Sequence, residues 1–201
     1  MKKIFLSLIA IIIFTSCDDN DTADVSSVTA YATFDYKPTV AIALGGTYDP
    51  NTVTATEDGN PLEVGISGAE DVDTNTVGAY KVIFSATNSD GYAATVTQTV
   101  VVHDPSIIGT DVSGRIRDKA TPSRIGTITL VEGTTSIFFA SDFGFAGTFP
   151  VYFQMNGDVI SEISQSYIND VTSLDLSYNP VTKEFSVFIN PVAFQYTFQY
   201  Y

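Results

Sequence analysis

Three groups of residues in this chain have the types and spacing to do chemistry. The first is Cys17, the only cysteine, which follows Thr15-Ser16 and an eleven-residue apolar run from Ile4 to Phe14. Small residues before a cysteine suit a signal peptidase that cuts at a lipid-modified thiol, so Cys17 is the expected site of acylation. The second is Asp142 with Phe143-Gly144-Phe145-Ala146-Gly147-Thr148-Phe149, to which Tyr178 is added from a later turn. Flat rings beside hydrogen-bonding side chains can meet the C–H face of a pyranose while Asp reads its hydroxyls, so Asp142, Phe143, Phe145, Phe149 and Tyr178 are candidate ligand-binding residues. The competing reading is that glycine lets the chain turn and the Phe rings cover the end of a β core. The third is the basic cluster Arg115, Arg117, Lys119 and Arg124. It suits either the carboxylates of an acidic polysaccharide or an exposed strand whose charges deter edge-to-edge pairing.

Covalent chemistry is poorly supplied. The single histidine, His103, has no companion base or thiol in sequence reach, and a general base needs a positioned partner. With Cys17 spent on lipid, a Cys/His zinc site cannot be assembled. The acidic string Asp18-Asp19-Asn20-Asp21 lacks the Gly and distal Glu of a calcium loop. Glycoside hydrolysis would require two opposed carboxylates about 5 to 9.5 Å apart in a cleft, which linear spacing does not certify. The chain is expected to act without catalysis, metal or cofactor.

The elements that hold these groups begin with the N-terminus. Lys2 and Lys3 precede the apolar run, which is shorter than the roughly 20 residues needed to span a bilayer as a helix but suits a signal-peptide core. Residues 1–16 are expected to be a lipoprotein signal, and 17–35 an acidic tether. Removing Lys2 and Lys3 from the nine basic residues leaves seven against 23 acids, a net charge of −16. That balance excludes nucleic acid, whose phosphates demand clustered Lys and Arg, and excludes adhesion to anionic lipid. Membrane attachment must come from acyl chains at Cys17.

Beyond the tether the pattern alternates with period two. In Tyr80 to Ala86, the residues Tyr80, Val82, Phe84 and Ala86 share a face, and after the turn Asn88-Ser89-Asp90-Gly91 a second strand runs from Tyr92 to Val102. Earlier short strands are expected at Thr39 to Leu44, Thr52 to Thr56 and Leu62 to Ile66. Later ones are expected at Gly126 to Val131, Ser136 to Ala140, Thr148 to Met155, Val171 to Ser177, Glu184 to Ile189 and Phe194 to Tyr200. The break falls at His103-Asp104-Pro105. Sixteen of the 25 Phe and Tyr residues and five of the seven remaining cations lie after Thr110, so the two parts, 36–104 and 105–201, differ in chemistry.

The segment Val40 to Pro50, then Thr54 to Gly59, then Gly78-Ala79-Tyr80 opening a strand that ends in Ala86-Thr87-Asn88, resembles the small immunoglobulin-like domain repeated in bacterial surface proteins. The resemblance implies a spacer or presentation module over Tyr36 to His103, with Tyr80 at a corner, its hydroxyl bonded back to backbone. The stretch Leu174 to Val187 is similar to a hairpin near the end of small two-domain Bacteroidota lipoproteins, whose genes commonly sit beside Sus-type glycan-uptake systems. The acidic string after Cys17 likewise resembles the signal that sends such lipoproteins to the outer face of the outer membrane.

The expected fold is all-β: an immunoglobulin-like sandwich followed by an antiparallel sheet domain, sandwich or barrel-like. The expected function is that of a cell-surface lipoprotein that binds or presents glycan within an outer-membrane uptake system. The alternative is a structural or adhesive module contacting protein. The partners implied are the membrane, through lipid, a polysaccharide, and an outer-membrane transporter or other surface lipoproteins.

Overall fold

Alternating apolar residues and glycine-rich turns produce an almost purely β structure, shown by a computed structural model that describes residues 30–144 and 148–201. In chain order the strands are β1 (Thr33–Asp35), β2 (Thr39–Ala43), β3 (Thr54–Glu57), β4 (Asn60–Leu62), β5 (Gly65–Ser67), β6 (Gly78–Thr87) and β7 (Ala93–His103). They continue as β8 (Gly114–Asp118), β9 (Ile125–Leu130), β10 (Ile137–Ala140), β11 (Val151–Asn156) and β12 (Val159–Glu162). The last four are β13 (Ser164–Gln165), β14 (Ser173–Asn179), β15 (Glu184–Asn190) and β16 (Phe194–Tyr200). The signal segment, Cys17 and Phe145 lie outside the described residues.

The β6–β7 hairpin is the spine of the N-terminal sandwich, with Gly78 paired to Val102 at one end and Thr87 to Ala93 at the other. Its turn forms because Asn88 Oδ1 accepts the Tyr92 N–H at 2.7 Å and Gly91 adopts φ +86°. Val82, Phe84 and Val100 on one face join Val53 in a core to which Phe34, Tyr36, Tyr48 and Tyr80 add their rings. Covering that core is the small sheet β1-β3-β4, while β2 pairs in parallel with β7. The single strand expected over Leu62 to Ile66 is two: β4 pairs with β3 in the small sheet and β5 with β6 in the large one. The chain changes sheets at Glu63–Val64, a move that a run of alternating residues does not announce.

The C-terminal part is an antiparallel sheet in the order β12-β11-β10-β9-β8-β16-β15-β14, nearly closed into a barrel. At the seam Glu162 in β12 accepts the Leu174 N–H at 3.0 Å, so one carboxylate bridges the two end strands. The interior is aromatic: Phe138, Phe143, Phe149, Phe153, Phe185 and Phe198 are all fully buried. β8, read from sequence as the seat of a basic cluster, is a central strand between β9 and β16.

Tyr31–Tyr201 is one compact unit. Two contacts make it so. The two-residue strand β13 adds in parallel to β6, with Ser164 opposite Gly78 and Gln165 opposite Ala79. Beside it Ala79 and Val101 of the sandwich share a buried cluster with Val131, Ile137 and Ile163. Gly78 is needed there, since a Cβ would come within 2.7 Å of the Ser164 carbonyl. His103 ends β7 at only 6% exposure, so the expected linker histidine is an interior residue.

Candidate ligand groove at the end of the barrel

The glycine-rich aromatic segment is built into the core. Asp142 Oδ1 accepts the N–H groups of Gly144 at 2.9 Å and Phe149 at 3.2 Å, and the Phe143 N–H donates to the Phe149 carbonyl at 2.9 Å. These bonds pinch the base of the loop and send Phe143 and Phe149 inward. The Phe143 centroid lies 5.4 Å from Phe153 and 5.6 Å from both Phe185 and Phe198. Exposure of Asp142, Phe143 and Phe149 is 3%, 0% and 1%. Their assignment to a ligand platform is therefore corrected: a phenyl ring has no polar edge to keep it at a wet surface, and burial is its more favourable place. Burial also raises the Asp142 carboxyl above the usual carboxylate range, against its two backbone N–H partners. Asp142 is a loop organiser.

Tyr178 is placed differently. The turn after it forms because Asn179 Oδ1 accepts the N–H groups of Val181 at 2.9 Å and Thr182 at 3.2 Å, while Lys183 takes a left-handed φ of +55°. The Tyr178 ring packs on Phe185 with centroids 4.7 Å apart, and its outer side opens on a groove of about 500 Å³. Thr110, Asp111, Ser113, Asp158, Pro180, Lys183 and Tyr200 complete the lining. Asp111 and Asp158 come together because the chain entering β8 is clamped to the β11–β12 turn, the Thr110 N–H donating to the Gly157 carbonyl at 2.9 Å. Thr110 Oγ1 then donates to Asp158 Oδ1 at 2.7 Å.

The electrostatics of the groove suit hydrogen-bond reading. Ser113, through its hydroxyl and its N–H, holds the Asp111 carboxyl below the usual range, so it is an ionised acceptor at neutral pH. The Tyr178 phenol is raised by burial and then by the Asp158 charge, and Tyr200 is raised chiefly by burial; both remain O–H donors. Tyr200 spends its proton on the Val112 carbonyl at 2.7 Å, which fixes its ring. Of these lining residues the sequence had signalled only Tyr178. Pro180 and Lys183 belong to the same turn as Tyr178, whereas Thr110, Asp111, Ser113, Asp158 and Tyr200 come from separated segments and carry no local pattern.

The basic cluster is occupied from within. Arg115 donates to the Tyr201 hydroxyl at 2.7 Å, and the guanidinium groups of Arg115 and Arg117 stand 4.7 and 5.4 Å from the centre of that ring. Arg124 lies 4.7 Å from the Tyr196 ring centre and pairs with Asp118 at 3.4 Å, and Lys119 pairs with Glu184 at 2.7 Å. Among the described residues no group of three or more His, Cys, Asp or Glu side chains is arranged to hold a metal ion. None of the described helices is long and apolar enough to cross a membrane.

The two-sheet packing around the β6–β7 hairpin, and the Tyr80 hydroxyl donating to the Thr76 carbonyl at 3.0 Å as a tyrosine corner does, agree with a match to known families. Residues 32–102 match the bacterial surface protein Ig-like domain. Among solved structures, the crystal structure of a lipoprotein from Bacteroides thetaiotaomicron is similar at 21% identity, over 84% of this chain and 98% of that one, with a TM-score of 0.42. No curated protein matches the chain. The Ig-like domain contributes nothing to the Tyr178 groove, all of whose lining residues follow His103.

Proposed function

We propose that the protein is a non-catalytic lipoprotein of the bacterial cell surface, anchored in the outer membrane through acyl chains at Cys17. Its Ig-like domain, 36–104, carries a C-terminal domain, 105–201, that binds glycan as an accessory to an outer-membrane polysaccharide uptake system. The observation that carries the binding reading is the open groove at Tyr178, where an aromatic wall meets the carboxylates of Asp111 and Asp158, the hydroxyl of Ser113 and the ammonium of Lys183. Such a mixture of flat apolar surface and convergent polar groups fits a sugar ring. Affinity-gel electrophoresis of the full chain carrying Cys17→Ala, against a panel of polysaccharides, tests it. Retardation that Tyr178→Ala abolishes is expected; no retardation by any polysaccharide, or retardation indifferent to Tyr178, overturns it.

A second reading, a spacer or adhesive module that contacts a transporter or another surface lipoprotein, draws on the rigid junction between sandwich and barrel. A shared buried cluster and a shared strand suit a stiff presenting arm. It predicts co-purification with an outer-membrane protein in place of glycan retention.

A further inference from the structure

The junction between the Ig-like domain and the barrel encloses a second cleft, of about 250 Å³, which shares no lining residue with the Tyr178 groove. Three walls form it. The outer face of the β6–β7 hairpin supplies Ala79, Lys81 and Thr99, with Lys81 directly opposite Thr99 in the ladder. The outer face of β10 and β11 supplies the paired residues Phe139 and Tyr152, whose ring centroids are 4.8 Å apart. The third wall is the segment 165–168 that runs on from β13. Gln165 ties the last two together, accepting the Tyr152 N–H at 2.9 Å and donating to the Tyr152 carbonyl at 2.6 Å, as a neighbouring strand would. These last two walls are thus held by the Gln165 side-chain amide bonded to the Tyr152 backbone.

Its charge runs against the rest of the molecule. The chain carries 23 acids and nine bases, yet the lining of this cleft has no carboxylate and one cation, Lys81. Glu162 is drawn away, its Oε1 taking the Tyr167 hydroxyl and the Leu174 N–H. Among the described residues the Lys81 ammonium has no ion-pair or hydrogen-bond partner, and neither have the hydroxyls of Thr99, Tyr152 and Ser166. The rings of Phe139 and Tyr152 are half-buried, so they form an apolar floor that water reaches only from the open side. At this volume the cleft takes one ring and not a drug-sized molecule, for which pockets start at about 300 Å³.

The geometry points to a binding site for a single carboxylate-bearing ring: one apolar face lies on Phe139 and Tyr152, the carboxylate meets Lys81, and ring hydroxyls meet Thr99 and Ser166. The ring is a uronic acid unit of a glycan, a choice that rests on the glycan-binding reading above, whereas the carboxylate-on-a-ring chemistry does not. Neither the Ig-like domain nor the barrel holds this site alone, so it exists only while they are docked.

Titration of the full chain carrying Cys17→Ala, followed by amide chemical shifts, separates the outcomes. Galacturonate, glucuronate, neutral galactose and benzoate are the ligands. Saturable shifts centred on Lys81, Thr99 and Tyr152 with the uronates, weaker by about tenfold or more in Lys81→Gln and unchanged in Tyr178→Ala, are expected. Because Lys81 is exposed, that variant folds as the parent does. Shifts with benzoate alone overturn the sugar and keep the ring carboxylate. Equal shifts with galactose, responses indifferent to Lys81→Gln, or none with any ligand overturn the site. Loss of the groove's binding with the cleft intact would count against the proposed function only.

Discussion

At the scale of single residues, the aromatic segment separates packing from recognition. Phe143 sits among three other Phe rings, so Phe143→Ala should cost about 3–5 kcal/mol, the range for emptying a buried aromatic position. Tyr178→Ala should cost roughly 1 kcal/mol, because its outer side faces the groove. Urea denaturation of both variants checks the contrast. Gly144 is equally constrained: at φ +117° a Cβ would stand 2.4 Å from the Tyr196 ring, so Gly144→Ala forces the ring or the loop to move. His103 gives a pH prediction. Its imidazole is buried and its pKa lies below the ordinary value, chiefly through desolvation, with Asp104 pulling weakly the other way. The unfolded chain therefore takes up the proton first as pH falls. Stability associated with neutral His103 is present above about pH 6.5 and is lost as pH drops through the lower folded value. Urea midpoints should fall between pH 7.5 and 5.5 in the parent and fall less in His103→Gln.

At the scale of elements, the short strand β13 has an importance out of proportion to its two residues. It gives the sandwich sheet an edge partner, and Gln165 from the same strand completes the backbone bonding of β11. Gln165→Ala would leave the Tyr152 N–H and carbonyl half-satisfied at a partly buried site, a loss of about 1–3 kcal/mol. Hydrogen exchange should then rise at Tyr152 while the amides of β15 and β16 stay protected. The long strands were readable in advance: β6, β7, β15 and β16 alternate in sequence over seven or more residues, and in β6 and β15 the alternation matches the buried face, whereas the last four residues of β7 are all buried and Phe194 of β16 is exposed. The short ones were not. β1, β12 and β13 have no period of their own, and they form strands because a neighbouring edge offers unpaired N–H and C=O groups.

At the scale of the whole molecule, the Ig-like domain and barrel share both core and sheet, so they should unfold together. Coincident transitions by tyrosine fluorescence and far-ultraviolet circular dichroism are expected, and two separated transitions would count against a shared junction. Anchoring belongs to this scale too. If Cys17 carries the lipid, Cys17→Ala should move the protein from the membrane pellet to the soluble fraction, with the fold unchanged.

Composition and pattern alone determined that this is an acidic, all-β protein, because net charge and period-two alternation are properties of the chain read in order; that its first part is immunoglobulin-like came from the resemblance of the segments between Val40 and Asn88 to a known domain. Composition and pattern also singled out the segment from Asp142 to Phe149 and the turn at Tyr178, since Gly, Phe and Asn-Pro have strong local preferences. Which of those residues face solvent was decided by the tertiary structure. Phe143 and Phe149 go inward because a nearly closed barrel presents an apolar interior to them; Tyr178 stays at the rim because its strand ends there. The groove and the cleft are likewise products of tertiary folding. Asp111 and Asp158, or Lys81 and Tyr152, are far apart in sequence and meet only when strands distant along the chain are brought side by side.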